Sequence, residues 1–396
     1  EIYQCDWSSD VCSSDLVRNI VIGNAVYWTR EFHFDALRLD AIHGIFDGSV
    51  SHILKDIKDA VHAAAEQENR SVWVIAESDL NDVRIITPAS KGGYNLDAQW
   101  NDDFHHALHA LVTGERQGYY QDFGTLDHVA TAFRKHFVYS GQYSHHRHRK
   151  HGNSAAQFLP SQFVVFDQNH EQVGNRAKGD RRSTLIPHAA QQVLITSVLC
   201  SPFIPLLFMG EEYGERAPFH YFIDHGDQGL VEAVRKGRLA EFKPFGWKNI
   251  SDPYAVGTFE SSRLTVRDAR DEAQNHMAVW TKQLIKLRKS HPSLGIGGKG
   301  HQLRVWENPS KTVLTLYRRI PGEEAMLLIL GFNDQPTTLS LSQPKGRWPL
   351  LLANSQPEYP DPKTPSAVPV PKDLDLTSGK HTLSLPAYPA WIFRQS

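Results

Sequence analysis

Val72–Asp79 reads VWVIAESD. An unbroken apolar run does not suit a half-exposed strand, which alternates; it marks a strand covered on both faces, as in a parallel sheet between helices. Its last apolar residue is followed at once by a carboxylate, Glu77. Upstream, Ile53, Leu54, Ile57, Ala60, Val61 and Ala64 fall at helical spacing, with Ser49 or Ser51 available as the cap. Before them Phe34–Leu39 reads as a short strand, and Asn19–Glu31 as a helix carrying Ile20, Ile22, Ala25, Val26 and Trp28. Downstream the alternation continues. Strands are expected at Asp97–Trp100, Phe163–Phe166 and Phe203–Met209. Helices are expected near Phe104–Val112, Leu126–His136, His188–Leu199 and His276–Lys289.

Strand and helix in repetition define an α/β fold with a parallel sheet. Four strong strands precede the change of pattern, and a closed eight-stranded barrel needs four more. The expected fold is therefore an incomplete (β/α)8 TIM barrel, its C-terminal half, followed by a small antiparallel β-sandwich. Residues 17–292 would form the barrel part. A Gly-rich hinge, Ser293–Gly300, would lead into the β domain of residues 301–396. That domain has strands at Val313–Arg318, Ala325–Phe332, Thr337–Leu341, His381–Leu385 and Ala390–Arg394, with a Pro-rich surface loop at Pro357–Pro371. Residues 1–16 contain a near-tandem pentad, WSSDV then CSSDL, without strand or helix period. The second pentad is what a common sequencing adapter encodes, so this segment is read as non-native or disordered.

The chain has 42 Lys and Arg against 44 Asp and Glu. Such balance gives no reason to expect nucleic acid or an anionic membrane as partner. No apolar stretch approaches the roughly 18 residues of a membrane span. Of three Cys, only Cys200 lies outside the first segment, which argues against a disulfide framework and fits a reducing compartment, the cytoplasm. Cys200 sits at an apolar helix end and reads as core rather than nucleophile.

Three segments sit where strands end: Phe34–His43 (FDALRLDAIH), Val72–Asp79, and Phe163–Arg176 (FVVFDQNHEQVGNR). In a barrel of this kind the ends of the strands hold the active site. Each segment supplies a carboxylate: Asp40, Glu77 and Glu171. Two carboxyls on neighbouring strand ends suit glycoside hydrolysis, where a retaining enzyme needs them about 5–5.5 Å apart. Arg38, two residues before Asp40, points to the same side of its strand and would hold Asp40 ionised. Glu77 ends a buried run, as suits a carboxyl that starts protonated. A plain ion pair at a strand end competes with this reading at any one segment; three in order weigh against it. Other signals are weaker. Ser144–His151 (SHHRHRKH) is His-rich but lacks metal-ligand spacing, so no metal and no cofactor are expected. Gly295–Gly300 lacks the Lys-Ser/Thr of a phosphate loop. Glu211 and Glu212 either line a cleft or start a helix.

FDALRLDAIH, the glutamate after a buried strand, and QNHEQVGNR resemble conserved regions of the α-amylase clan. Gly92–Tyr120 (GGYNLDAQWNDDFHHALHALVTGERQGYY), AESDLND (Ala76–Asp82) and PLLFMGEEYG (Pro205–Gly214) narrow the resemblance to the malto-oligosyltrehalose trehalohydrolases. The likeness runs from about Val17 to His291. It implies Asp40 as nucleophile, Glu77 as proton donor, and Glu171 in the place of a third carboxylate that holds sugar hydroxyls. It implies substrate contacts from Arg38, His43, Asn169, His170, Gln172 and Asn175, and a trehalose-end loop at Trp100, Asn101, Asp102 and Asp103. The implied substrate is malto-oligosyltrehalose, an α-1,4-glucan, in a pathway shared with malto-oligosyltrehalose synthase. A branching or debranching enzyme of the clan would share the three carboxylates. A silent α-glucan-binding protein is a rival from another class. Two positions depart from the family: Glu171 stands where it has Asp, and Asp167 replaces an uncharged residue. The family's first conserved region and first strands have no counterpart before Val17, so the sequence is read as a fragment, with open sheet edges that favour poor folding and little activity.

Overall fold

The computed structural model describes residues 15–242, 250–359, 368–377 and 380–396. Most of the segment read as non-native, and residues 360–367 of the Pro-rich stretch, lie outside the described residues. The chain divides into two compact units, Glu1–Asp102 with Tyr139–Val164, and Asp103–Val138 with Val165–Ser396.

The first unit follows the expected alternation: α1 (Asp15–Glu31), β1 (Ala36–Leu39), α2 (Ile53–Gln67), β2 (Trp73–Ala76) and β3 (Ala98–Trp100), with β4 (Phe163–Phe166) beginning in it. All pairings are parallel. Ala36 to Leu39 face Trp73 to Ala76, Ala76 faces Gln99, and Trp100 faces Val164. In the first unit the strand order is β1-β2-β3-β4, and β5 (Ile204–Leu206) belongs to the second unit. Helix α2 buries Ile53, Leu54, Ile57, Val61, Ala64 and Ala65, the face its spacing specified. Its start differs from expectation. The cap is His52, whose Nδ1 accepts from Leu54 N at 3.3 Å, and the Ile53 amide donates to Asp47 Oδ2 at 2.7 Å. Ser51 instead donates to Asp56 at 2.5 Å. The run 72–76 is not covered throughout: Val74 and Ala76 are fully buried, but Trp73 is exposed, because it pairs with the start of the edge strand β1.

In the second unit the helices are α3 (Asp102–Thr113), which starts one residue before it, α4 (Leu126–Lys135), a five-residue α5 (His170–Gly174), α6 (His188–Leu199), α7 (Gln228–Phe242), α8 (Val256–Ser261) and α9 (Glu272–Ser290). No helix among the described residues is long and apolar enough to cross a membrane. Strand β5 is shorter than the run 203–209 and has Pro205 at its centre, where no N–H is available to the ladder. Helix α9 begins four residues earlier than its apolar period suggests. The reason is a capping box: Asp271 accepts from Gln274 N, and Gln274 returns the bond to Asp271 N.

Residues beyond 301 form antiparallel sheets: β6 (Gln302–Glu307), β7 (Val313–Arg319), β8 (Met326–Gly331), β9 (Thr337–Leu341), β10 (Arg347–Ala353), β11 (Asp373–Asp375), β12 (His381–Leu385) and β13 (Ala390–Arg394). Six pair in the order β11-β10-β13-β8-β7-β6, and β9 pairs with β12. The β9–β12 ladder alternates: Leu339, Leu341, Leu383 and Leu385 are buried in one cluster with Leu327, Ile329, Trp348, Trp391 and Phe393. The Gly-rich stretch read as a hinge is anchored rather than free. Fully buried Arg318 donates to the carbonyls of Cys200 (2.6 Å), Leu294 (2.9 Å) and Gly295 (2.5 Å). Arg288 donates to those of Leu199, Ser201, Phe203 and Leu294. The orphan carbonyls at the C-terminal end of α6 are thereby satisfied by cations, as its dipole favours. Arg318→Met would leave buried acceptors unpaired, and we expect it to cost about 3 kcal/mol of stability. Urea unfolding of the two proteins measures this, and equal midpoints would show the clasp to be dispensable.

Candidate active site

The β1–β2 register ends on Leu39 and Ala76, so the next residues, Asp40 and Glu77, leave adjacent strands at the same level. The ladder extends past the strand ends: Glu77 N donates to Leu39 O at 2.9 Å, and Ile42 N to Glu77 O at 3.2 Å. Ala41 takes a left-handed conformation, φ 45°, which turns the chain away directly after Asp40. In that turn the Ala41 amide donates to Glu77 Oε2 at 2.6 Å.

Arg38 connects the two carboxylates. Its Nη1 donates to Asp40 Oδ1 at 2.5 Å, and its Nη2 lies 3.7 Å from Glu77 Oε2. Its guanidinium carbon stands 4.3 Å from the centroid of the Trp100 ring, a cation–π stack. The carboxylates differ in access: the Asp40 side chain is 74% exposed and that of Glu77 is 8%. His43 is exposed and lines a cavity of about 430 Å³ with Ile42, Phe46, His52, Leu80, Asp82, Arg84 and Tyr94. His52 stacks on Tyr94 at 4.1 Å. Asn101 is buried, and its amide donates to Val164 O at 2.9 Å. Asp102 is the first residue of α3.

The other candidates lie in the second unit. Asp103 is buried and its carboxylate accepts the Val138 amide at 2.8 Å. The QNHEQ segment is a helix start. Asn169 Oδ1 accepts from the amides of Glu171 (2.8 Å) and Gln172 (3.3 Å), and Gln172 Oε1 accepts from Asn169 N (3.2 Å). Asn169 and Gln172 are buried by this role, whereas His170 and Glu171 keep 49% and 40% of their side chains exposed, 3.9 Å apart. Asn175 is exposed and accepts from Arg238 at 3.4 Å.

Beneath this helix start lies a network that sequence reasoning missed. Asp167 is buried and ion-paired to buried Arg182, whose amide donates to Gln168. His105 Nδ1 meets the Asp167 carbonyl at 2.5 Å, and its Nε2 meets Tyr120 Oη at 2.9 Å. One helical turn on, His109 bonds Glu115 at 2.8 Å, and Arg176 grips the same carboxylate through two bonds of 2.9 Å. The odd charge at position 167 is visible in the sequence; its partner, Arg182, lies fifteen residues on and carries no local signal. Burial lowers the His105 imidazole well below its usual range, helped by His109, His106 and Arg182, and it lowers His109 to about 4. Burial opposes ionisation of Glu115, but bonds from His109 and Arg176 outweigh it and hold its carboxyl well below the carboxylate range. Glu211 opens the turn Glu211–Tyr213, accepts the Phe208 amide at 2.9 Å, and is pushed by burial up to about 7. Cys200 is buried, which pushes its thiol up to about 11. Among the described residues no group of three or more His, Cys, Asp or Glu is placed to hold a metal ion.

No family model matches the sequence. Known proteins do. The chain is 44% identical over 295 residues to malto-oligosyltrehalose trehalohydrolase of Saccharolobus solfataricus, covering 74% of this chain and 50% of that protein. It is 39% identical over 333 residues to the enzyme of that name from Mycobacterium tuberculosis, covering 83% and 56%. A crystal structure of a Salmonella typhimurium protein, provisionally named an alpha amylase, matches 96% of this chain and 61% of its own at TM-score 0.78 and 32% identity. AmyP, solved in complex with maltose, shares the fold at TM-score 0.60 with 14% identity, over 96% and 68% of the two chains. By fold and sequence the chain is a member of the α-amylase clan of glycoside hydrolases. Within the clan it groups with the malto-oligosyltrehalose trehalohydrolases, and it spans about half the length of those relatives.

Buried and half-buried histidines set an acid limit. His109, His151 and His301 are each lowered by burial to about 4, against 6.5 for an exposed imidazole. Between those values the unfolded chain binds protons that the folded chain does not, so stability holds above about pH 6.5 and falls as pH drops toward about 4. Urea midpoints measured from pH 7.5 to 4.5 should decline on the acid side, with a shallower slope in His109→Gln. A flat profile would mean that these imidazoles are protonated in the fold.

Proposed function

We propose that this chain carries the catalytic carboxylates of a retaining glycoside hydrolase, one that cleaves the α-1,4-glucosidic bond beside the terminal trehalose of malto-oligosyltrehalose and releases trehalose. The observation that carries the reading is the pair Asp40 and Glu77, side by side on adjacent strand ends and joined through one guanidinium. The names of the relatives support the substrate, and the maltose complex of AmyP supports an α-glucan ligand more broadly.

In this reading Asp40 attacks the anomeric carbon as the glycosidic bond breaks, giving a glycosyl ester, while Glu77 gives its proton to the departing oxygen. Glu77 then takes a proton from water, whose oxygen replaces Asp40 on the sugar. Net charge on the two carboxyls is −1 before and after the first step, because Asp40 loses its charge as Glu77 gains one. A single arginine between them balances both states. Glu171 holds sugar hydroxyls. Arg38, His43, Asn169 and His170 support the reacting groups, with Trp100, Asn101, Asp102, Asp103, Gln172 and Asn175 contributing to substrate binding. No cofactor takes part. The fold reading that goes with this is the second half of a (β/α)8 barrel over residues 17–292, then a β-sandwich over 301–396. The setting is cytoplasmic, downstream of malto-oligosyltrehalose synthase. One observation favours a second reading, a silent α-glucan binder: Glu171 is one methylene longer than the family's Asp.

Assay of trehalose release from malto-oligosyltrehalose tests the function. Asp40→Asn should reduce turnover ~10⁴-fold or more with substrate still bound. Turnover unaffected by that change would end the assignment. Glu171→Asp should raise turnover by about 100-fold if the longer side chain misplaces its carboxylate by 1 Å. Saturable glucan binding with no turnover in either form would favour the silent binder.

A further inference from the structure

The loop that leaves Glu77 is held by a segment more than fifty residues further along the chain. Residues 139–153, which contain the His-rich stretch, turn back on themselves: Tyr143 pairs with Lys150 and Ser144 with Arg149, and Gly141 N donates to His151 O at 2.8 Å. This hairpin grips residues 79–83 from several sides. Arg147 Nη1 lies 2.9 Å from Asp79 Oδ2, and buried His151 meets the Asp79 carbonyl through Nε2 at 2.9 Å. Asn81 Nδ2 donates to Tyr139 O at 3.3 Å, and Asn153 N donates to Asn81 O at 3.1 Å. Asn153 Oδ1 accepts the Val83 amide at 2.9 Å. The approach is close enough to require glycine. Gly152 has φ +72°, and a Cβ there would stand 2.3 Å from Tyr139 O and 2.9 Å from Asn81 Cβ.

The gripped loop has a position in the chemistry. An acid that protonates the departing oxygen lies next to the leaving sugar, so the chain immediately beyond Glu77 runs along that sugar. Leu80, Asp82, Arg84 and Ile85 of this loop form one wall of the 430 Å³ cavity, opposite Ile42, His43 and Phe46 from beyond Asp40. That volume lies within the roughly 300–1,000 Å³ of small-molecule sites. Resting on the function proposed above, we propose that the hairpin Tyr139–Asn153 is a specificity element for the leaving-group side of the cleft, with Arg147, His151 and Asn153 as positioning residues that act through the loop 78–84. None of the three needs to touch the reacting atoms. They fix the wall against which the leaving disaccharide binds, and a wall held in place before binding costs less affinity than one ordered by the ligand.

The test uses the intact protein and trehalose itself as probe. Arg147→Ala with Asn153→Ala should raise the KM for malto-oligosyltrehalose and the inhibition constant of trehalose by about 10-fold, with kcat changed less than about 2-fold. Arg147→Lys should keep most of the wild-type affinity. Hydrogen exchange at the amides of residues 78–85 should quicken in the double variant while α2 exchanges as before. Unchanged KM, trehalose inhibition and loop exchange would overturn the proposal. Equal losses in kcat and KM from Arg147→Lys would also overturn it, since they would report general damage rather than a positioned wall. A wild-type protein that releases no trehalose would sink the function proposed above. The exchange measurement would then decide the clamp by itself, with unchanged exchange counting against it.

Discussion

The guanidinium of Arg38 is the contact around which the site is arranged. It lies on the face of β1 that Asp40 shares, it reaches Glu77 across the β1–β2 register, and it rests on the indole of Trp100 from β3. Three adjacent strands thus meet at one side chain. Arg is suited to this place because its planar fork offers separate nitrogens to separate carboxylates while its face stacks on a ring. A lysine would supply charge at one point only. The Nε and Nη2 atoms of Arg38 are buried without a hydrogen-bond partner. An arrangement that keeps donors unpaired in the fold costs stability, and here those donors lie beside the Glu77 carboxyl, 3.7 Å from Nη2.

A second charge pair supports the other carboxylate-bearing segment in a different way. Asp167 and Arg182 are both buried, and removing one partner from such a pair strands the other at a cost of about 3–5 kcal/mol. Arg182 also binds Gln168, and His105 holds the Asp167 carbonyl, so the residues just before the QNHE turn are fixed on both their backbone and side-chain sides. The low proton affinity of His105 fits this task. A neutral imidazole can donate from one nitrogen and accept at the other, which a charged one cannot.

Much of this architecture was legible because period and composition report burial directly. Val72–Ala76 announced a strand, though one left uncovered at Trp73, and α2 buried the face its spacing named. The carboxylates were legible because they end those strands. What escaped reading depends on partners far along the chain. Ser49 and Ser51 look like caps, yet His52 and Asp47 hold the helix start, and Ser51 is engaged with Asp56 instead. The strand at 204–206 is shorter than expected because apolar character continues past the paired residues. The hairpin 139–153 has neither period nor apolar face. Only the fold reveals that Arg147 and His151 of this hairpin meet Asp79.

The capping box at 169–172 settles how the longer side chain at 171 is accommodated. Asn169 and Gln172 exchange hydrogen bonds across the turn, and the Glu171 amide is itself one of the capped donors. Its backbone is therefore fixed at the one point where a shift could have offset an extra methylene. The side chain must absorb the difference by rotation, and with 40% of it exposed there is room to do so. Rotation about an added bond costs order rather than contact, because more rotamers compete for the carboxylate. The side chain at 171 can therefore turn without disturbing the helix start, because the capping bonds use only backbone amides and the side chains of Asn169 and Gln172.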